Sequence, residues 1–209
     1  MNMQPFVVTL CGLLIYRGVA RYYTDDATAG FPFGAEFPWL AWFFAGRTFG
    51  VPHSLIAFVV VTVALAILLH KSVYGRYLFA VGKNETAARY SGINTRRIVT
   101  SAYVLCGALT AVSAIFIAMY TRSISPSSHG NFYELYAIAA AVLGGCSLRG
   151  GEGSILGVVL GTILLQVLQN LVNLLGIPSS LNFAVMGTVI LLGVLADQQL
   201  TWRRKSVTQ

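Results

Sequence analysis

The chain has 209 residues, of which 56% are hydrophobic and only 10% are charged. Ordinary soluble domains carry about 25% charged residues, and a water-soluble fold of this size could not bury so much apolar surface. The composition therefore excludes a soluble fold and predicts an all-α integral membrane protein. The net charge of +7 does not indicate nucleic-acid binding, because the basic residues cluster in loops and in the tail between apolar segments.

Six apolar segments follow one another, covering residues about 5–20, 54–70, 98–120, 133–145, 154–175 and 182–196. The third and fifth segments are long enough for helices that cross a hydrocarbon core of about 30 Å. The second and sixth are a little short, and the fourth fits a short or re-entrant helix shielded by its neighbours. We predict a single transmembrane domain over residues 1–209, with one or two short or re-entrant helices.

The stretch between the first two segments, residues 22–53, is rich in aromatic side chains and contains three acidic residues. It suits an interfacial belt or a short helix lying on the bilayer, and a packed external loop is the alternative. The amino terminus lacks the basic region and cleavage site of a secretory signal. It runs straight into the first apolar segment, so we expect the domain to be incomplete at its amino-terminal end.

The basic residues predict the orientation of the chain. Residues 71–97 contain six of the fourteen basic residues and a single acid, Glu85. Because basic loops mark the cytoplasmic side, we expect 71–97 in the cytoplasm. Counting spans then places the basic tail, residues 198–209, in the cytoplasm as well, so two basic clusters agree. Arg17 and Arg21 disagree with this scheme, because it puts them near the outer face.

A short capped helix is predicted within the basic loop. Asn84 can cap the amino terminus of a helix, and Glu85 in its first turn suits the helix dipole. Arg89 lies four residues further on, and Gly92 supplies the left-handed residue that ends the helix. A helix of about seven residues is unstable alone in water. It must be held by the membrane domain, by a partner or by both; an ordinary cytosolic loop with one turn of helix is the alternative.

The fifth apolar segment carries two groups of residues on opposite faces. At about 100° per residue, the amides fall near 0°, 300°, 40° and 340°, and the glycines near 140°, 180° and 220°. The glycines would let helices approach closely. Side-chain amides suit the hydroxyls of a neutral sugar, and they also bond neighbouring helices in membranes, so pathway lining and helix contact both stay open. The amides are Gln166, Gln169, Asn170 and Asn173, and the glycines are Gly153, Gly157 and Gly161.

No chemistry of the chain's own is predicted. Gly145 and Gly150 have the spacing of a phosphate-binding loop but are followed by Gly151 and Glu152 instead of Lys and Ser or Thr. No catalytic constellation and no metal-ligand spacing of histidines and cysteines is present. We therefore expect a transport subunit powered by another protein. An ion-coupled secondary transporter, which would need ionisable residues in its spans, and an inactive permease fragment are the alternatives; an intramembrane enzyme is remote.

Three parts of the sequence resemble the permease subunits of carbohydrate ABC importers of the ribose/xylose type. They are Gly75-Arg76 with Ala80–Ile93, Ala137–Gly145 with Ser147–Ser154, and Asn170–Gly176. The resemblance covers nearly all of residues 5–197. It implies that the helix from Lys83 to Gly92 sits in a groove of a separate ATPase. The implied ATPase-coupling residues are Lys83, Asn84, Glu85, Thr86, Ala87, Ala88, Arg89 and Gly92.

The resemblance also implies the partners. They are two cytoplasmic ATPases that use the ATP, a second permease copy, an external sugar-binding protein and the lipid of the bacterial inner membrane. Two features depart from the family pattern. Members have further spans before the region that matches Pro5, which agrees with a fragment, a misassigned start or a short form. They also often carry Asp where this chain has Tyr136, although Glu134 is present nearby.

Overall fold

The computed structural model describes residues 5–31, 38–48, 50–176, 178, 181, 184, 187–188 and 191. Apart from those isolated positions, the sixth predicted segment, residues 182–196, lies outside the described residues, as does the basic tail, residues 198–209. The described part is mostly helical, as predicted. Its elements are α1 (Pro5–Tyr23), β1 (Ala29–Gly30), α2 (Pro38–Ala45), β2 (Arg47–Thr48), β3 (Val51–Pro52), α3 (His53–Lys71), α4 (Val73–Lys83), α5 (Glu85–Tyr90), α6 (Thr95–Thr121), β4 (Ser123–Ile124), α7 (Tyr133–Leu143) and α8 (Ile155–Leu174).

Three of the described helices are long and apolar enough to cross a membrane, namely α3, α6 and α8. They correspond to the second, third and fifth apolar segments. The helix α1 is 19 residues long, but with two arginines it does not reach the same hydropathy. The helix α7 has 11 residues and therefore extends only about 16 Å, which is too short to cross a bilayer alone. The apolar windows of α3 and α6 bury no residue, so they present continuous apolar surface to lipid or to further protein.

The chain forms two compact units. The first comprises the described residues of Met1–Val60 and Val104–Asn131. In it, β1 pairs antiparallel with β4, so that Ala29 lies opposite Ile124. The helix α2 shows that the aromatic stretch contains a short helix, whose position relative to a bilayer stays a prediction. The ring of His53 lies 2.8 Å from the carbonyl oxygen of Trp42 and thereby fixes the hairpin of β2 and β3 to α2.

The discordant Arg21 has a partner in the same unit. Its guanidinium donates a hydrogen bond to the carboxylate of Asp26, in the turn that follows α1. This hydrogen bond holds the pKa of the Asp26 carboxyl below its usual value. Because the pair is exposed to solvent, it contributes little to stability.

The second unit comprises Val61–Tyr103 and the described residues of Phe132–Gln209. Its buried cluster lies where α7 packs on α8, and contains Ala139, Ala140 and Leu165, with Tyr136, Leu143 and Leu168 against it. Two glycines of α8 make the approach close. A Cβ on Gly157 would overlap the carbonyl oxygen of Gly144, and a Cβ on Gly161 would overlap that of Ala140. Small residues thus let the two backbones touch, as in membrane helix pairs.

Gly153 differs from the sequence expectation, because it does not lie on the helix. Ser154 is the amino-terminal cap residue of α8, so only Gly157 and Gly161 share the helical face toward α7. The conformation before Ser154 breaks the periodicity that the spacing of four suggests. Gly153 still lies in a close contact, because a Cβ there would come within 2.8 Å of the Cys146 sulfur.

We expect Gly161→Val to disrupt the packing of α7 on α8 and to lower the free energy of unfolding by about 1–3 kcal/mol, the usual cost of overpacking. Gly107→Val is the matched control, because Gly107 is also helical but has no atom within 4 Å of a Cβ position. Denaturant unfolding of both purified variants in detergent measures the difference. Equal losses of stability would show that backbone approach is not what Gly161 provides.

Candidate functional site

The basic loop contains a helix that the sequence pattern missed. Residues Val73–Lys83 form α4, and the Oγ of Ser72 caps it by accepting from the amide of Gly75 at 3.1 Å. A serine three residues before a helical amide is a start signal that was available in the sequence. The basic character of the loop favoured an irregular segment instead. Tyr74 then fixes α4 to α6, because its hydroxyl accepts a hydrogen bond from Ser101 at 3.0 Å.

Asn84 joins α4 to α5 by capping both helices. Its backbone amide donates to the carbonyl of Ala80 at 3.1 Å, which ends α4. Its side-chain oxygen accepts from the amide of Ala87 at 3.0 Å, which starts α5. The predicted cap is thus confirmed. Since one residue terminates one helix and begins the next, α4 and α5 are connected without a flexible linker.

The predicted end of the short helix is confirmed as well. Gly92 has a φ of +83°, and the amide of Ile93 donates to the carbonyl of Ala88 at 3.1 Å. This pattern is a Schellman motif, in which a left-handed glycine satisfies the last carbonyls of a helix. The helix has six residues, one fewer than the estimate.

The surface of α5 is almost entirely exposed. Among its residues only Ala88 is buried, with 5% of its surface accessible, whereas Tyr90 is 89% accessible. The side chains of Lys83, Glu85 and Arg89 are exposed too. The chain therefore holds α5 by its two caps and one alanine, and leaves its other faces available to a partner.

A cavity of about 390 Å³ lies between α7 and α8. It contains two of the four predicted amides, Gln166 and Gln169, whereas Asn170 and Asn173 are exposed and are not among its lining residues. The side chains of these amides make no hydrogen bond within the described chain, so none of them serves contact between its helices. The remaining lining residues are Tyr133, Tyr136, Ala137, Ala140, Val158, Thr162 and Leu165.

The cavity combines aromatic rings with neutral hydrogen-bonding groups. Its polar side chains are the hydroxyls of Tyr133, Tyr136 and Thr162 and the two amides, and no charged residue lines it. Such a lining can hold a small neutral molecule that has both hydroxyl groups and an apolar face. The sequence analysis noticed Tyr136 only as a departure from a family pattern, and missed Tyr133 and Thr162. The spacing of Tyr133, Tyr136, Ala137 and Ala140 along one helical face was the available signal.

Comparison with known proteins assigns the family. Residues 1–194 match the family described as the branched-chain amino acid transport system permease component. The chain belongs to this permease family. No solved structure shows significant similarity to it.

Relatives within the permease family carry transport names. The ribose import permease protein RbsC of Escherichia coli K12 is 41% identical over 198 residues, which cover 95% of this chain and 61% of the relative. RbsC of Bacillus subtilis 168 is 39% identical over 201 residues, with the same two coverages. The galactofuranose transporter permease protein YtfT of E. coli K12 is 34% identical over 199 residues, covering 95% of this chain and 57% of the relative. The chain thus spans about three fifths of the length of these relatives.

We expect Asn84→Ala to destabilise α5 locally by about 1 kcal/mol, the usual cost of removing an N-cap. Amide hydrogen exchange over residues 85–92 should then become roughly fivefold faster. Asn84→Asp is the control, because it keeps an oxygen that can accept from Ala87. Exchange in Asn84→Ala as slow as in the unsubstituted protein would mean that tertiary contacts alone hold the helix.

Proposed function

We propose that the chain forms part of the membrane permease subunit of an ATP-binding-cassette importer in the bacterial inner membrane, and that its cargo is a sugar or a similar neutral solute. It would work with a cytoplasmic ATPase, a second permease copy and an external solute-binding protein, with its carboxyl terminus in the cytoplasm. Family membership and the names of the relatives support the transport role. The uncharged cavity between α7 and α8 supports the class of cargo.

The lining of the cavity favours a sugar over an amino acid. A zwitterionic amino acid carries a carboxylate and an ammonium group, and either is costly to desolvate without a charged or strongly dipolar partner. The cavity offers no charged partner. Sugar hydroxyls donate and accept hydrogen bonds, as the amides of Gln166 and Gln169 do. The rings of Tyr133 and Tyr136 supply apolar faces against which the C–H face of a sugar can pack.

Coupling to an ATPase is supported by α5. Its two ends are defined by caps, and its residues other than Ala88 are exposed. A short helix with fixed ends and an unburied surface suits docking into a groove of another protein. The implied coupling residues Lys83–Arg89 and Gly92 are therefore proposed as the contact with the ATPase. The absence of charged residues from the cavity lining does not favour an ion-coupled carrier, which usually places ionisable groups at its site.

The test is uptake into proteoliposomes that contain the chain, its ATPase and its solute-binding protein. We expect ATP-dependent uptake of a labelled neutral monosaccharide such as ribose or galactose, and no uptake of leucine. Uptake of leucine, or uptake driven by a proton or sodium gradient without ATP, would contradict the proposal. A complex that assembles but transports none of these solutes would favour the inactive-fragment alternative.

The amides provide a sharper test of the cavity. Gln166→Met and Gln169→Met keep the side-chain length but remove one neutral hydrogen-bonding partner each, worth about 0.5–1.5 kcal/mol. We expect each to raise the KM for uptake by about three- to tenfold. Asn173→Leu is the control, since it removes an amide of the same helix that lies outside the cavity lining. Equal effects of all three variants, or loss of folded protein with unchanged specific activity, would show that the amides serve packing instead.

A further inference from the structure

The carboxyl-terminal end of α4 touches the turn before α8 backbone to backbone. A Cβ on Gly82 would overlap the amide nitrogen of Gly151 and come within 3.0 Å of its Cα. A Cβ on Gly151 would lie 2.7 Å from the amide nitrogen of Lys83 and 2.9 Å from its Cα. Real Cβ atoms do not come this close to a neighbouring backbone, so both positions require glycine. No sequence pattern pointed to this contact, because 69 residues separate its two sides.

On one side, the contact is connected firmly to α5. Asn84 follows Lys83 directly and caps both α4 and α5. A displacement of α5 therefore moves the end of α4 with it, since no unpaired residue lies between the two helices.

On the other side, the contact is connected to the pair of α7 and α8. The turn is closed by a hydrogen bond from the amide of Ser147 to the carbonyl of Glu152 at 3.1 Å, and by one from Gly150 to Ser147 at 3.0 Å. Directly beyond it, the backbones of Gly144 and Gly157 touch. The turn, α7 and α8 thus form one closely packed hairpin, and the two helices of this hairpin line the cavity.

We propose that the contact between Gly82 and Gly151 is the joint through which a displacement of α5 reaches the hairpin of α7 and α8 and its cavity. Gly82 and Gly151 are positioning residues: they touch neither solute nor nucleotide, and they act by letting two backbones meet. The proposal rests on the proposed function, because it takes the ATPase as the source of the displacement. Direct backbone contact transmits such a movement with little loss, whereas long side chains would absorb it by changing rotamers.

The first test is Gly82→Ala, with Gly107→Ala as its matched control. Both changes replace a helical glycine by the best helix former, but only at Gly82 does the methyl group meet another backbone. In proteoliposomes with the ATPase and the solute-binding protein, we expect Gly82→Ala to lower ATP-dependent solute uptake at least about fivefold, the lower end of ordinary coupling between sites. Gly107→Ala should transport within about twofold of the unsubstituted protein. Equal uptake by the two variants would overturn the proposal.

The second test approaches the contact from its other side. Gly151→Ala and Gly145→Ala carry the same conformational strain, because the two glycines have φ values of +76° and +81°. A Cβ on Gly145 has no atom within 4 Å, whereas one on Gly151 meets Lys83. We expect uptake to fall further in Gly151→Ala than in Gly145→Ala. If Gly82→Ala fails to enter the membrane, this second pair decides the proposal, and equal loss in both variants would overturn it.

Hydrogen exchange separates transmission from docking and from folding. In the Gly82→Ala complex, we expect the ATPase still to protect residues 84–92. The change in exchange that nucleotide binding causes over residues 155–165 of the unsubstituted complex should be lost. Retention of that change, or loss of the ATPase from the complex, would overturn the proposal. If the unsubstituted complex takes up no solute, the proposed function fails instead, and the exchange comparison still reports on the joint.

Discussion

The close backbone approach of α7 and α8 is the constraint on which the rest of the second unit depends. In a membrane, apolar side chains gain little by leaving lipid for protein, so helices pair where small residues let their backbones meet. Gly157 and Gly161 provide that approach opposite Gly144 and Ala140. The contact fixes how α8 is rotated, and the rotation leaves Gln166 and Gln169 at the edge of the interface, where α7 contributes its tyrosines.

The short helix α5 illustrates a different balance. Six residues cannot form a stable helix in water through their own hydrogen bonds. Asn84, Gly92 and the buried Ala88 hold it in place, so its stability comes from its ends and from one small contact. Its outer surface is therefore not used for stability and is available for a partner. A helix held in this way can be shaped for recognition without endangering the fold.

What the sequence could predict follows the range of the interactions involved. The start and end of α5 depend on an asparagine oxygen two or three residues from its donor and on one glycine dihedral, so local sequence was sufficient. The helix α4 was missed because its position is fixed by Ser101, 27 residues from Tyr74. Periodicity placed the amides on one face, but the cavity also needs α7, a separate segment. Periodicity also assigned Gly153 to α8, although the chain becomes helical only after Ser154.

The neutrality of the cavity bears on how energy can reach it. A site with charged side chains can be opened or closed by the binding of an ion, because the ion changes the local electrostatic energy directly. The cavity of α7 and α8 has no such group among its lining residues, so a bound ion has no charged partner there. A change in its shape then has to come from movement of the helices themselves. The proposed joint at Gly82 and Gly151 is of this mechanical kind, and it connects the most exposed short helix of the second unit to the hairpin that contains the cavity.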